Sequence, residues 1–143
     1  MKIAIGSDHR GVRYKKMIKA LLEGHGHQVE DCGSDSEESC DYPDYARRVA
    51  RGVAEGAYDR GILVCGSGIG MSIAANRFRG VRATLCLSPG MAETARTHND
   101  SNVLCLAQDL ADETRTRRIV ETWLEARFEG GRHSRRLKKI DAD

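Results

Sequence analysis

A cysteine opens the run Cys65-Gly66-Ser67-Gly68-Ile69-Gly70. A thiolate is both nucleophile and base. A glycine-rich turn between a strand and a helix aims backbone N–H groups at one spot, where they bind an anion or a developing oxyanion. The spacing is not a dinucleotide fingerprint, which would need glycine at Met71, and no Gly-Lys-Ser/Thr ending marks a phosphate loop of the Walker type. The competing reading is a tight connection of small residues with a buried structural cysteine. Ser7-Asp8-His9 is a second candidate. A carboxylate and an imidazole can handle sugar hydroxyls or bind phosphate, or they can cap a helix. His98-Asn99-Asp100 offers an acid/base beside an amide, or an Asx-rich turn. In Gly130-Gly131-Arg132-His133-Ser134-Arg135-Arg136, arginines offer a fork for phosphate. Arg132 and Arg136 are four apart, so one helical turn would present them on the same side; the alternative is a solvated basic terminus. His25 and His27 flank Gly26 without a carboxylate or thiolate at ligand spacing, and no metal site is expected.

These residues need elements to position them. Strands are expected over 2–6, 28–32, 61–65, 81–87 and 102–107. Helices are expected over 12–23, 41–55, 71–76, 89–97 and 112–128, the last with Ile119, Val120, Trp123, Leu124 and Phe128 as its apolar stripe. Strands alternating with helices imply a parallel sheet covered on both faces. In such sheets ligands bind outside the carboxyl ends of the strands. That rule selects the loops 7–11, 65–70, 88–89 and 107–110. His98-Asn99-Asp100 enters the last strand from the opposite end, where a monomer has trouble using it in the same site and a second copy of the chain could bring it there.

Composition narrows the function classes. The chain has 143 residues and a formal charge of +2, one domain's length with no dominating basic excess for nucleic acid. Residues 127–143 hold six basic side chains and three acids, so the whole excess lies in the tail. No apolar run approaches the roughly 20 residues of a membrane span. Five cysteines without a paired spacing fit a reduced, cytoplasmic setting, with Cys86 and Cys105 as small core residues.

Together the runs Gly6-Ser7-Asp8-His9-Arg10-Gly11, Asp41-Tyr42-Pro43-Asp44-Tyr45-Ala46, Cys65 to Asn76, His98-Asn99-Asp100 and Glu129-Gly130-Gly131-Arg132-His133 resemble the ribose-5-phosphate isomerase B family. The wider family includes galactose-6-phosphate and allose-6-phosphate isomerases. The resemblance spans essentially the whole chain in order. It implies a Rossmann-like three-layer α/β/α fold with a five-stranded parallel sheet, in one domain 1–143 ending in a basic tail 129–143. It implies a homodimer or dimer of dimers with a site shared between subunits, a sugar phosphate as the only ligand, and no cofactor or metal. The implied reaction, in the pentose phosphate pathway, converts D-ribose 5-phosphate to D-ribulose 5-phosphate through an enediol(ate). Cys65 would move the proton, His98 of the other subunit would open the ring, and the N–H groups of Gly66, Gly68, Ile69 and Gly70 would meet the negative charge. Ser67 would assist binding, Asp8 and Asn99 would hold hydroxyls, and Tyr42 would line the sugar. His9, Arg132 and Arg136 would grip the phosphate. One departure stands against the pattern: many relatives carry an arginine after the last strand, lent to the phosphate by the other subunit, where this chain has Asp109. Arg115 and Arg118 are candidate substitutes. The alternatives are an isomerase of another aldose phosphate (allose or galactose 6-phosphate, or a tetrose phosphate) and a non-catalytic phosphosugar-binding protein.

Overall fold

Apolar residues alternate sides along the central strands, and both sides are buried. β1 (Lys2–Ser7), β3 (Arg60–Cys65) and β5 (Val103–Ala107) turn Ile3, Ile5, Ile62, Val64, Leu104 and Leu106 to one face. Ala4, Leu63, Cys65, Val103 and Cys105 face the other way. A sheet buried on both sides needs helices on both, and parallel strands need crossovers. The computed structural model, which describes residues 1–142, has this form. Asp143, counted above in the tail, lies outside the described residues.

The sheet is five-stranded and parallel throughout, in the order β2-β1-β3-β5-β4, with β2 (Gln28–Asp31) and β4 (Ala83–Leu85) at its edges. α1 (Val12–Gly24), α4 (Pro89–Thr97) and α5 (Glu113–Glu125) cover the first face, burying Ile18, Leu22, Ala92, Ile119 and Trp123. α2 (Tyr42–Ala54) and α3 (Ile69–Ala75) cover the second with Ala46, Val49, Ala50, Met71 and Ala75. α2 lies close on the sheet, because a Cβ on Gly61 would fall 2.5 Å from Val49 Cγ1. Each large side chain buried this way contributes roughly 1.5–3 kcal/mol. Among the described residues no helix is long and apolar enough to cross a membrane, and all five cysteines are free thiols.

The strand order sets the site. From β1 the chain steps outward to β2, then returns across β1 to β3. The connections leaving β1 and β3 therefore run to helices on opposite faces and leave a crevice between them, the switch point where open α/β sheets bind ligands.

Several expected boundaries move, most by one or two residues, as for α3, which starts at Ile69. The strand expected over 81–87 shrinks to β4, because the N–H groups of Arg82 and Ala83 go to the side chains of Asn102 (2.7 Å) and Asn76 (2.8 Å). Asn102 itself is a clamp rather than a strand residue, donating also to the Gly80 carbonyl at 2.8 Å. α5 ends at Glu125: Ala126 is extended (φ −65°, ψ 139°), so Phe128 lies beyond the helix and not on its stripe. The tail forms a helix, α6 (Arg132–Ile140), anchored where Asp141 meets the Arg79 and Gly80 region.

Candidate active site

Cys65 is the last residue of β3 and is 5% exposed. Its sulfur accepts the Gly68 N–H at 3.0 Å. Gly68 makes the bond possible by taking φ +73° as N-cap of α3, a left-handed conformation that glycine reaches without a Cβ penalty. No side chain fits there, since a Cβ would lie 2.5 Å from Leu85 Cδ1 and 3.1 Å from the Leu106 carbonyl oxygen. Ser67 Oγ accepts from Ile69 N at 3.3 Å, and the Tyr42 ring lies over Gly70, 2.6 Å from where its Cβ would be. Tyr42, Cys65, Ser67 and the N–H groups of residues 66–70 thus share one corner. Burial pushes the Cys86 thiol up to about 12 and holds Cys105 higher still, so both stay protonated core residues, as expected.

The connection after β1 supplies the opposite wall. Asp8, 6% exposed, accepts through Oδ1 from the N–H groups of Arg10 (2.9 Å) and Gly11 (3.2 Å). Asp8 therefore shapes its loop, as a capping residue would, and its second oxygen remains for a ligand. The loop sits hard against β3: a Cβ on Gly11 would lie 2.5 Å from the Val64 carbonyl oxygen. His9 Nδ1 accepts the Cys40 N–H at 3.2 Å. In that bond the ring proton sits on Nε2, which becomes a donor.

The connection after β5 closes the third side. Gln108 N and Asp109 N donate to the carbonyls of Cys65 (2.9 Å) and Gly66 (3.0 Å), which ties Asp109 to this chain's own turn. Its carboxylate is ion-paired with Arg10. This pair was not legible in the sequence, where the two residues are 99 apart.

The remaining candidates form a second group elsewhere. His98, at the C-cap of α4, stacks on His133 of α6 (centroids 4.3 Å apart, planes at 11°). Glu129 Oε2 lies 4.0 Å from His98 Nε2 and 3.6 Å from His133 Nε2. His133 is buried, its Nε2 makes no hydrogen bond, and burial with neighbouring His98 and Arg132 lowers its pKa below 6.5. These three are the described residues whose donor atoms, all within 4.8 Å, could hold a metal ion. Sequence reading tested His25 and His27 instead, because only a fold brings residues 98, 129 and 133 together. Arg132 and Arg136 are exposed on the same helix. Asn99 lines an apolar cavity of about 440 Å³ with Thr84, Met91 and Thr94. Asp100 bonds Arg82 and Arg96 at φ +44°, a structural role matching the turn reading. This group lies at the amino end of β5 and the first at its carboxyl end, about 16 Å apart at roughly 3.3 Å per residue over five residues. Among the described residues no hydrogen bond, ion pair or ring contact joins the two, so the phosphate grip expected of His9, Arg132 and Arg136 is divided between them.

Comparison with known proteins gives one consistent answer. A family model described as Ribose/Galactose Isomerase matches residues 3–140. Ribose-5-phosphate isomerase B of Escherichia coli is 48% identical over 141 residues, covering 99% of this chain and 95% of the relative. The structure of the ribose-5-phosphate isomerase B of Clostridium thermocellum superposes with a TM-score of 0.98 at 47% identity, covering 99% of this chain and 95% of that one. That of Mycoplasma genitalium, solved with bound ribulose-5-phosphate, gives 0.94 at 42% identity, covering 97% and 93%.

Proposed function

Because the chain belongs to the ribose/galactose isomerase family, we propose that it interconverts D-ribose 5-phosphate and D-ribulose 5-phosphate, with Cys65 as the proton-transfer base. The relatives carry that activity in their names, and one of them was solved with ribulose-5-phosphate. The observation that carries the assignment is Cys65 Sγ at the carboxyl end of β3, receiving the Gly68 N–H at 3.0 Å.

As thiolate, Cys65 takes the C2 proton of the open-chain aldose, and the electron pair moves onto O1. The enediolate charge meets the N–H groups of residues 66–70. The proton returns to C1, another passes from O2 to O1, and the ketose results. Asp8 and Asn99 hold hydroxyls and Ser67 assists. His9, Arg132 and Arg136 anchor the phosphate, which fixes C1 and C2 for proton transfer.

His98 opens the sugar ring from a second copy of the chain, which brings Asn99, Arg132 and Arg136 with it. The support is the separation of the two groups within one copy. An apolar surface beside the crevice also supports it, with Ile69 53% and Ile73 61% exposed. Five free thiols support a reduced, cytoplasmic location.

Cys65→Ala tests the assignment: isomerisation falls by at least a thousandfold while the melting temperature stays within a few degrees. Retained turnover removes Cys65 from the mechanism. His98→Asn slows cyclic substrate more than an open-chain analogue, and equal losses refute ring opening. Asp109 favours a second reading, another aldose phosphate as preferred substrate. Comparing kcat/KM across tetrose, pentose and hexose phosphates separates the two.

A further inference from the structure

The geometry points to Arg10 as a guanidinium that binds the substrate's phosphate at this site, with Asp109 as the positioning residue that holds it there. This rests on the sugar-phosphate reading above. It supplies from the loop after β1 the charge that the chain lacks after β5.

Location comes first. A Cβ on Gly66 would lie 3.0 Å from both Cζ and Nε of Arg10 and 2.8 Å from Asp109 Oδ2. The guanidinium thus lies on the backbone beside Cys65, in the crevice between β1 and β3, and not out on the rim of α1. Its backbone is fixed too, because the Arg10 N–H donates to Asp8 Oδ1 at 2.9 Å. Asp109 is fixed by its own N–H to the Gly66 carbonyl at 3.0 Å.

Donor bookkeeping is the second argument. A guanidinium carries five N–H donors. One hydrogen bond, from Nη2 to Asp109, is made by the Arg10 side chain among the described residues. The side chain is 57% exposed, so its remaining donors are open to solvent and to a ligand. His9, the preceding residue, keeps its Nε2 as a donor once Nδ1 has accepted the Cys40 N–H.

Charge is the third. Asp8 and Asp109 place two carboxylates at the crevice, and a phosphate dianion would be repelled by both. Arg10 neutralises Asp109 and keeps donors to spare. An exposed ion pair of this kind adds little to stability, so its removal should be read in binding and not in folding.

The experiment measures KM, kcat and competitive inhibition by inorganic phosphate on the full chain. Arg10→Ala raises KM for ribose 5-phosphate about ten- to hundredfold, as for loss of a charge-assisted hydrogen bond. It weakens phosphate inhibition by a similar factor, and KM changes more than kcat. Arg10→Lys recovers part of the loss. Asp109→Asn raises KM several-fold, because Arg10 loses its holder; a lower KM would mean that Asp109 only repels substrate and would overturn the proposal. Joining Arg10→Ala to Asp109→Arg restores KM by returning a guanidinium to the other side of the pair. Unchanged KM and unchanged phosphate inhibition in Arg10→Ala also overturn it. If the unaltered chain turns over no ribose 5-phosphate, the substrate reading fails separately. Thermal protection by inorganic phosphate, lost or kept in Arg10→Ala, then still decides the site.

Discussion

Gly68→Ala should damage both the fold and the chemistry, and the structure sets the size. Gly68 sits at φ +73°, and the left-handed region costs a residue with a Cβ about 1–2 kcal/mol. The new methyl group would meet Leu85 Cδ1 at 2.5 Å, the tip of a flexible side chain that can turn aside. It would also meet the Leu106 carbonyl oxygen at 3.1 Å and carbon at 3.2 Å, backbone of the central strand β5 that cannot. Overpacking of this kind costs about 1–3 kcal/mol. The sum, about 2–5 kcal/mol, lowers the melting temperature of a chain this size by roughly 6–15 °C. Any relief moves Gly68 N away from Cys65 Sγ, so kcat should fall by more than KM changes. Gly24→Ala is the control: nothing lies within 4 Å of its Cβ position at the end of α1, and it should stabilise by up to about 1 kcal/mol. Thermal melts and steady-state kinetics on the two variants decide. A Gly68→Ala protein with wild-type melting and wild-type kcat would refute the strained, functional turn.

Other substitutions probe the frame around the site. Lys15 is fully buried with Nζ 2.7 Å from Asp31 and 2.9 Å from Asp35, the latter's carboxyl held below its usual range by Lys15. Lys15→Met leaves two carboxylates that can reach water and should stay within about 1 kcal/mol of wild type. Asp31→Ala with Asp35→Ala strands the ammonium and should lower the urea midpoint further; the reverse order would sink the argument. Asn102→Ala loses the bonds to Arg82 N and Gly80 O and should cost about 2–4 kcal/mol by denaturant titration; a change below half a kcal/mol would show that β4 holds its start without the clamp. The His133 pKa lies below 6.5, through burial and then the charges of His98, Arg132 and Arg136, opposed by Glu129. The folded state therefore binds fewer protons than the unfolded one below pH 6.5, and stability drops as the pH falls through that window. Melting temperature should decline more steeply from pH 7.5 to 5.5 in wild type than in His133→Asn, and parallel declines would count against it. His27 titrates in the same direction in both proteins.

How much of the fold could be read from the chain follows from where its information is local. β1, β3 and β5 are runs whose every side chain is buried or nearly so, and Ile-Leu-Val at 62–64 reads as a central strand without help. β4 is different. Its three residues are half-buried at a sheet edge, and its start is decided by the side chains of Asn76 and Asn102. No hydrophobic period records a side-chain clamp, so the run looked longer than it is. α6 failed for the opposite reason: its one buried residue is His133 and its one half-buried apolar residue is Leu137, too few and too polar to make an apolar stripe.

The candidate site divides along the same line. The turn after β3 was legible because all its parts are contiguous: a cysteine, a left-handed glycine and a small serine that accepts the Ile69 N–H, within four residues. Asp109 was visible as a charge out of place, but its meaning was not, since its partner Arg10 comes from another strand end and only the order β1-β3-β5 sets them side by side. The basic tail was visible as an excess of charge, but its use depends on the stacking of His133 on His98, which puts Arg132 and Arg136 at the far end of β5 from Cys65. Both arginine sources follow one rule. A crevice whose own walls carry Asp8 and Asp109 needs positive charge from outside the turn after β3 to hold a phosphate dianion. One guanidinium arrives across the switch point within the chain, and the proposed second copy would bring the others. The near-neutral total charge therefore conceals a crevice whose two carboxylates, Asp8 and Asp109, each meet a donor from Arg10.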